Sequence, residues 1–484
     1  MNLKHKTVKG VFWSTIEKFG VQGTQFITLI FLARLLSPSD FGLIGMLTVF
    51  IALSQAFIDS GFSAALIQKK ETTNTDYSTI FFFNIAVSIF LYFILFFLAP
   101  YIAAFYHEPK LIFITRVISI NFIINAFSII QITLLKKELD FKTQSIINIS
   151  GIIGAGITGI TLALLGFGVW ALIFQSLANA FLKTILFWIV NKWRPIFVFS
   201  KKSFKTLFSF GSKLLFAGLL NTIFQNLYLI VIGRYFNAAP LGYYTQAKKI
   251  QELPTMSINS IIQNVAFPSF SKIQDENEKL KKGLKLAIKM TTFILFPLMI
   301  FLMVAAKPIV ITLLTEKWLP AVIYIQILSI TGILFPIQLF NLTILNVKGR
   351  SDLFLRLEII KKTLVVIAIV VGFHWGVLGL VISRVFTAVI ALLINTFYTN
   401  KLIKYTILNQ LTDILPYAII SLIMGLFIYG LTFIVEDNLY LLITEILTAF
   451  ILYYGLARLF KLEAYCEIKT LIQPYIPKQL RLLL

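Results

Sequence analysis

Arg34-Leu-Leu-Ser-Pro-Ser-Asp-Phe-Gly42 returns in the second half of the chain as Arg234-Tyr-Phe-Asn-Ala-Ala-Pro-Leu-Gly242, with the same spacing from Arg to Gly. Both stretches are short breaks between long apolar runs. A second pair, Gly168-Val-Trp-Ala-Leu172 and Gly376-Val-Leu-Gly-Leu380, opens an apolar run in each half. Repeated units of this kind mark transporter folds, with the substrate site expected between the halves. The chain therefore reads as two pseudo-symmetric lobes, 1–200 and 201–405, followed by 406–484 outside the repeat.

Working outward from these breaks, apolar runs long enough to cross a bilayer (about 20 residues) fill most of the chain. They fall at 10–35, 40–67, 78–105, 112–135, 144–165, 168–191, 208–233 and 241–271. They continue at 283–306, 320–346, 353–374, 377–400, 412–436 and 438–460. The expected fold is an all-α polytopic membrane protein of about 14 transmembrane helices, six per lobe plus two C-terminal helices. Equal parity makes the lobes parallel repeats, and the even count puts both termini on one side.

Composition excludes the main rivals. The chain is 58% hydrophobic and 13% charged, against about 45–50% and about 25% in soluble domains. Its mean hydropathy is +0.87. A net charge of +22 on a soluble protein points to nucleic acid. Here the basic residues lie in alternate loops, among them Lys69/Lys70, Lys136/Lys137/Lys142, Lys201/Lys202/Lys205, Lys348/Arg350 and Lys401/Lys404. That pattern predicts orientation and contact with anionic membrane lipids, not nucleic acid, and makes the basic side and both termini cytoplasmic. The basic N-terminus runs into Glu17 and Lys18, so it reads as a first span and not as a signal peptide. A lone Cys466 permits no internal disulfide, and His5, His107 and His374 are too scattered for a metal site. Neither G-x-x-x-x-G-K-[S/T] nor G-x-S-x-G occurs, so no ATPase or hydrolase motif is present. No catalytic residues and no cofactor are expected.

An ionisable group inside a span costs roughly 2.5–3.5 kcal/mol on insertion scales, so it tends to face a cavity or a partner. Span 1 places Glu17, Thr24, Gln25 and Thr28 on one stripe. Span 8 does the same with Lys248, Glu252, Thr255 and Asn259, and Pro254 favours a kink there. Span 7 aligns Asn221, Gln225 and Tyr228; span 4 aligns Asn121, Asn125 and Ser128. Asp59 closes span 2, while Arg116 and Arg384 lie within spans 4 and 12. The expected substrate cavity is lined by Glu17, Gln25, Asp59, Asn221, Gln225, Lys248, Glu252, Asn259 and Arg384. The competing readings are a solvated Glu17, a structural ion pair in span 8 and amides that bridge helices at about 0.6 kcal/mol each. Arg116 reads best as snorkelling or paired. Arg34 and Arg234 form a structural pair at equivalent repeat positions, and Gly151, Gly154, Gly156 and Gly159 make a stripe for close helix packing.

Several stretches resemble a known family. They are Gly10-Val-Phe-Trp13, Ala33 to Gly42, Asp59-Ser-Gly61, Ala65 to Lys69, Leu134 to Phe141 and Leu164 to Trp170. Gly233-Arg234, Leu241 to Ala247 and Phe267 to Ser271 continue the series. Together they are similar to the polysaccharide transporters, oligosaccharide flippases of the Wzx type, within the multidrug/oligosaccharidyl-lipid/polysaccharide exporter superfamily. The branch with the colanic-acid exporter is the best match. Where that family often has an acidic residue, six positions before the seventh-span Arg, this chain has Tyr228. The resemblance implies a flippase of the bacterial inner membrane that moves undecaprenyl-pyrophosphate-linked oligosaccharide for capsule, exopolysaccharide or O-antigen synthesis. It implies alternating access, driven by a coupling ion (H+ or Na+) or by mass action. Glycan polymerase and export machinery are the further partners it implies. A drug exporter of the same superfamily and a peptidoglycan-lipid flippase are the alternatives; a membrane glycan polymerase or ligase would need longer outer loops.

Overall fold

Polar residues at the breaks decide where helices begin. The computed structural model describes residues 3–59, 62–69, 71–261 and 266–472. Helix α1 (Leu3–Leu35) ends just before Ser37. The Ser37 hydroxyl accepts from the Asp40 amide (3.3 Å), and the Asp40 carboxylate accepts from the Ser37 amide (2.9 Å). This capping box opens α2 (Pro38–Asp59), and Thr73 with Asp76 repeats it after α3 (Phe62–Gln68) to open α4 (Asn74–Tyr106). Next come α5 (Leu111–Ile118) and α6 (Ile120–Glu138), then α7 (Phe141–Leu164) capped by Asp140 and α8 (Val169–Val190) entered from Gly168. Ser200 caps α9 (Lys201–Phe236), and α10 (Ala238–Ile261) follows Asn237.

The chain continues through α11 (Phe267–Ser271), α12 (Asn277–Val304) and α13 (Ala306–Ile309), a π-helical turn at Val310–Leu314 and a 3-10 turn at Glu316–Trp318. It ends with α14 (Ala321–Val347), α15 (Ser351–Phe373), α16 (Gly376–Ile403), α17 (Ile407–Leu431), α18 (Asn438–Leu459) and α19 (Glu463–Ile472).

Ten spans among the described residues are long and apolar enough to cross a membrane. The remaining expected spans are α1, α9, α10 and α15, of 33, 36, 24 and 23 residues. They are long enough to cross but carry more charge, such as Lys248, Lys249 and Glu252 in α10. The runs expected at 40–67 and 241–271 each include positions outside the described residues, 60–61 and 262–265, and the run at 112–135 breaks at Ser119. There the hydroxyl donates back to the Thr115 carbonyl (2.6 Å), an alternative to the helix ladder. Beyond the last expected span lies one further helix, α19. Outward stripes are apolar: Phe90, Phe93, Phe97 and Tyr101 recur along α4, all at least half exposed. In water such a stripe would be an aggregation surface; in lipid it is the solvent-facing side.

Two compact units emerge, Met1–Thr245 and Gln246–Leu484. In the first, α7 packs between α1 and α8, α6 packs on α4 and α8, and α9 packs on α2, α3 and α4. The glycine stripe of α7 serves this packing: Gly156 faces Thr28 of α1, while Gly151, Gly154 and Gly159 face Lys183, Leu182 and Gln175 of α8. The two repeat motifs meet each other in this unit. A Cβ on Gly42 would overlap the Ala238 carbonyl, and one on Gly242 would overlap the Pro38 carbonyl. The contact is reciprocal at equivalent positions.

In the second unit α14, α15 and α16 pack on one another as α6, α7 and α8 do in the first. The helices outside the repeat are held by polar ties. Asn341 of α14 and Gln410 of α17, both fully buried, exchange amide hydrogen bonds of 2.8 and 3.0 Å. Asp413 of α17 pairs with Lys285 (2.6 Å) and Lys289 (3.4 Å) of α12, and Lys289 also reaches Glu463 of α19 (2.6 Å). Tyr405, between α16 and α17, donates to Asp413 (2.8 Å). Burial, and then the adjacent Asp413 carboxylate, hold its phenol well above the usual range, so it stays a donor at physiological pH.

Gly42→Ala and Gly242→Ala are expected to destabilise the purified protein by about 1–3 kcal/mol or more, the usual cost of overpacking. Gly23→Ala, with open space around its Cβ, is expected to be neutral or to stabilise by up to about 1 kcal/mol. Thermal unfolding in detergent, followed by tryptophan fluorescence, checks the order.

Candidate functional site

The stretch around Pro254 in α10 gathers the densest charge among the expected cavity residues. Lys248 and Glu252 stand one helical turn apart, with Lys248 Nζ 3.7 Å from Glu252 Oε1. Arg384 comes in from α16 and places Nη2 3.8 Å from the same oxygen. All three side chains are part-buried, at 18%, 30% and 26% exposure. Two cations thus share one carboxylate, leaving a net positive charge. Both contacts are longer than a hydrogen bond. The Thr255 hydroxyl donates to the Glu252 carbonyl (3.0 Å), and Pro254, lacking an N–H, removes one rung of the helix ladder. Gln251 is buried against Gly332 of α14, where any side chain would collide with it. Gln246 is fully buried, and neither of its amide atoms has a partner among the described residues. The spacing of Lys248 and Glu252 gave their pairing in the sequence, whereas the approach of Arg384 from α16 comes only from the structure.

Glu17 lies elsewhere, in the first unit. It accepts from Asn148 Nδ2 (2.7 Å), and Ser145 Oγ lies 3.2 Å away, both from α7. Lys183 of α8 runs its stem over Gly151 and comes within electrostatic reach of Glu17. Lys183 is absent from the sequence-based candidates. The signal was present, since Gln175, Asn179 and Lys183 recur every four residues on α8. Glu445, a fully buried acid in α18, was also passed over.

The other candidates disperse. Gln25, Asn221 and Gln225 are exposed, whereas Tyr228, expected on the same face of α9 as the last two, is buried. The side chains of Asp59 and Asn259 lie outside the described residues. Asn121 donates to Ser176 (3.0 Å) and bridges α6 to α8. Arg116 sits 4.2 Å over the Phe96 ring and donates to the Phe96 carbonyl (3.4 Å). Arg234 lies 5.2 Å over the Phe105 ring, with Nη1 2.6 Å from His107 Nδ1, and so ties the end of α9 to the end of α4. Arg34 is exposed in the last turn of α1. No group of three or more His, Cys, Asp or Glu is placed to hold a metal ion among the described residues.

The profile of a family described as "Polysaccharide biosynthesis protein" matches residues 31–323. The chain is 30% identical to the teichuronic acid biosynthesis protein TuaB of Bacillus subtilis (strain 168), over 90% of this chain and 91% of TuaB. It is 28% identical to the lipopolysaccharide biosynthesis protein WzxC of Escherichia coli (strain K12), over 83% and 82% of the two chains. It is 29% identical to the succinoglycan biosynthesis transport protein ExoT of Rhizobium meliloti (strain 1021), over 69% and 68%. Among solved structures, the lipid II flippase MurJ in its inward closed conformation aligns with a TM-score of 0.74 at 15% identity, over 94% of this chain and 98% of that one. An inward-facing MATE family transporter of the MOP superfamily aligns with a TM-score of 0.64 at 16% identity, over 82% and 98%. At these identities the structures show a shared fold: this chain is a multi-pass helical membrane protein of that architecture.

Glu17→Ala removes the acceptor for the half-buried Asn148 amide, while the Ser145 hydroxyl keeps the Phe141 carbonyl 2.6 Å away. It is expected to cost about 1 kcal/mol of stability, the penalty for stranding one part-buried donor. Glu17→Gln keeps an acceptor oxygen and is expected to recover part of that loss. Unfolding midpoints of the three proteins, measured side by side, check this.

Proposed function

This chain belongs to the polysaccharide biosynthesis protein family, and from that premise we propose that it flips lipid-linked oligosaccharide repeat units across the bacterial inner membrane by alternating access. The substrate class is an undecaprenyl-pyrophosphate-linked glycan destined for capsule, exopolysaccharide or O-antigen. The protein is a transporter and not an enzyme. The observation that carries this reading is the Lys248–Glu252–Arg384 cluster. Arg384 lies eight residues into α16, roughly 12 Å from its start at 1.5 Å per residue. A net-positive group at that depth suits a pyrophosphate, which Arg binds through two parallel hydrogen bonds. Lys248 and Arg384 stand 3.7 and 3.8 Å from Glu252, so one carboxylate is set against two cations. A drug exporter shares the fold, but a cationic cluster repels cationic drugs.

Support for the orientation comes from the alternation of basic loops, which puts both termini in the cytoplasm. The energy source is an ion gradient of H+ or Na+ or the mass action of substrate and product, and the glycan polymerase and export machinery receive the product. Glu17, Asp59 and Glu252 remain coupling candidates on sequence grounds.

In cells lacking this protein, complete lipid-linked repeat units are expected to accumulate on the cytoplasmic face. Normal outward display, with new sensitivity to cationic drugs instead, would transfer the reading to drug export. Lys248→Ala and Arg384→Ala are each expected to lower surface glycan about ten-fold or more at normal expression, since a hydrogen bond to a charged group contributes about 1.5–3 kcal/mol. Cys466 is the sole cysteine and is exposed. A membrane-impermeant maleimide is expected to label it only after the inner membrane is opened; labelling of intact spheroplasts would invert the topology.

A further inference from the structure

Glu445 sits in the middle of α18 and is fully buried. Neither of its carboxyl oxygens has a hydrogen-bond partner among the described residues. Leu441, Leu442, Glu445, Ala449, Tyr453 and Ala457 are the buried positions of α18, one stripe at helical spacing. One turn before the acid, Leu442 packs with Ala305 and Ile309. One turn after it, Ala449 belongs to the core that holds Ile300, Met424 and Ile428. The carboxyl therefore lies between two apolar layers of the core.

The elements packed on α18 are α12, α13, α17 and the π-helical turn. In α12 the last charge is Lys289, and in α17 the only one is Asp413; these two pair with each other. Tyr417 and Tyr429 are the remaining titratable groups of α17, and Tyr453 of α18 donates to the Phe293 carbonyl (2.6 Å). Lys307 of α13 is exposed, and the π-helical turn Val310–Leu314 has no titratable residue. On α18 itself Tyr440 is exposed, Tyr454 lies within hydrogen-bonding distance of Tyr465, and Arg458 is more than three turns away.

A bare carboxylate between such layers is costly, because its charge has lost water and gained nothing. Two ligands remove that cost, a metal cation or a proton. A hard cation such as Na+ needs a shell of oxygen ligands, and the residues packed above and below Glu445 offer carbon. A proton needs no shell. We propose that Glu445 binds a proton in this packing and that its exchange couples ion flow to transport. The coupling half rests on the flippase reading above. The step is a simple ionisation: the O–H bond breaks, the proton passes to water and the carboxylate keeps the electron pair. Ionisation requires water to reach Glu445, hence α18 to part from α12 and α17. The π-helical turn packed on α18 is an element of a kind that recurs at functional sites. The coupling group then lies on a helix outside the repeat.

The test is pH-difference infrared spectroscopy on the full chain in lipid nanodiscs, paired with surface-glycan display in cells. The wild-type protein is expected to show the C=O band of a protonated carboxylic acid that disappears as pH rises, and Glu445→Gln to lack it. Glu445→Asp shifts the band and makes the same assignment should the Gln variant not accumulate. Surface glycan is expected to fall about ten-fold in Glu445→Gln, within the usual range of coupling between sites. A band unchanged in both variants, or one present at every pH, overturns the proton site. A band lost with glycan display intact overturns the coupling. If deleting the whole protein leaves glycan display unchanged, the flippase reading fails while the infrared result stands by itself.

Discussion

The bilayer offers no hydrogen bonds, and every other feature of this protein answers to that. A peptide group in hydrocarbon must be satisfied by its own segment, which leaves α-helices as the spanning element for a chain of this type. The polar residues are then spent at helix ends. Ser37 with Asp40, Thr73 with Asp76, Asp140, Ser200, Thr406 and Asp437 each cap a helix where it meets a loop. Within spans, hydroxyls such as Thr79, Thr292, Ser329 and Ser421 donate back to a carbonyl one turn earlier. A polar side chain that does neither becomes informative by exception.

The same constraint sorts the charges. Lys285, Lys289, Asp413 and Glu463 neutralise one another and fix α17 and α19 to α12. Glu17 is satisfied by an amide and a hydroxyl of α7. Lys248, Glu252 and Arg384 differ, because they are part-exposed and their sum is positive.

Much of this was legible in the sequence, and the failures have physical causes. Helix positions follow from run length and caps, so the spans were readable. The break at Ser119 was not, since run hydropathy is blind to the turn of a single residue. Lys248 and Glu252 were legible because four residues is one turn. Arg384 was legible as an intramembrane cation, but its partner was not, because periodicity says nothing about which helix lies opposite. That is also why Asn221, Gln225 and Tyr228 looked equivalent and are not. Lys183 and Glu445 were missed for a simpler reason: a single charge barely lowers the mean hydropathy of a run.

The meeting of Gly42 with Ala238 and of Gly242 with Pro38 has a consequence for how such a chain could arise. A contact in which position i of one copy touches position j of the other, and j touches i, is isologous. It is the kind of interface a two-fold homodimer makes. A half-length chain carrying one such Pro-and-Gly loop would be self-complementary through it. Joining two copies head to tail would then add a covalent link to an interface already in place, and each copy would afterwards be free to diverge everywhere except at the glycine that lets the other's backbone in.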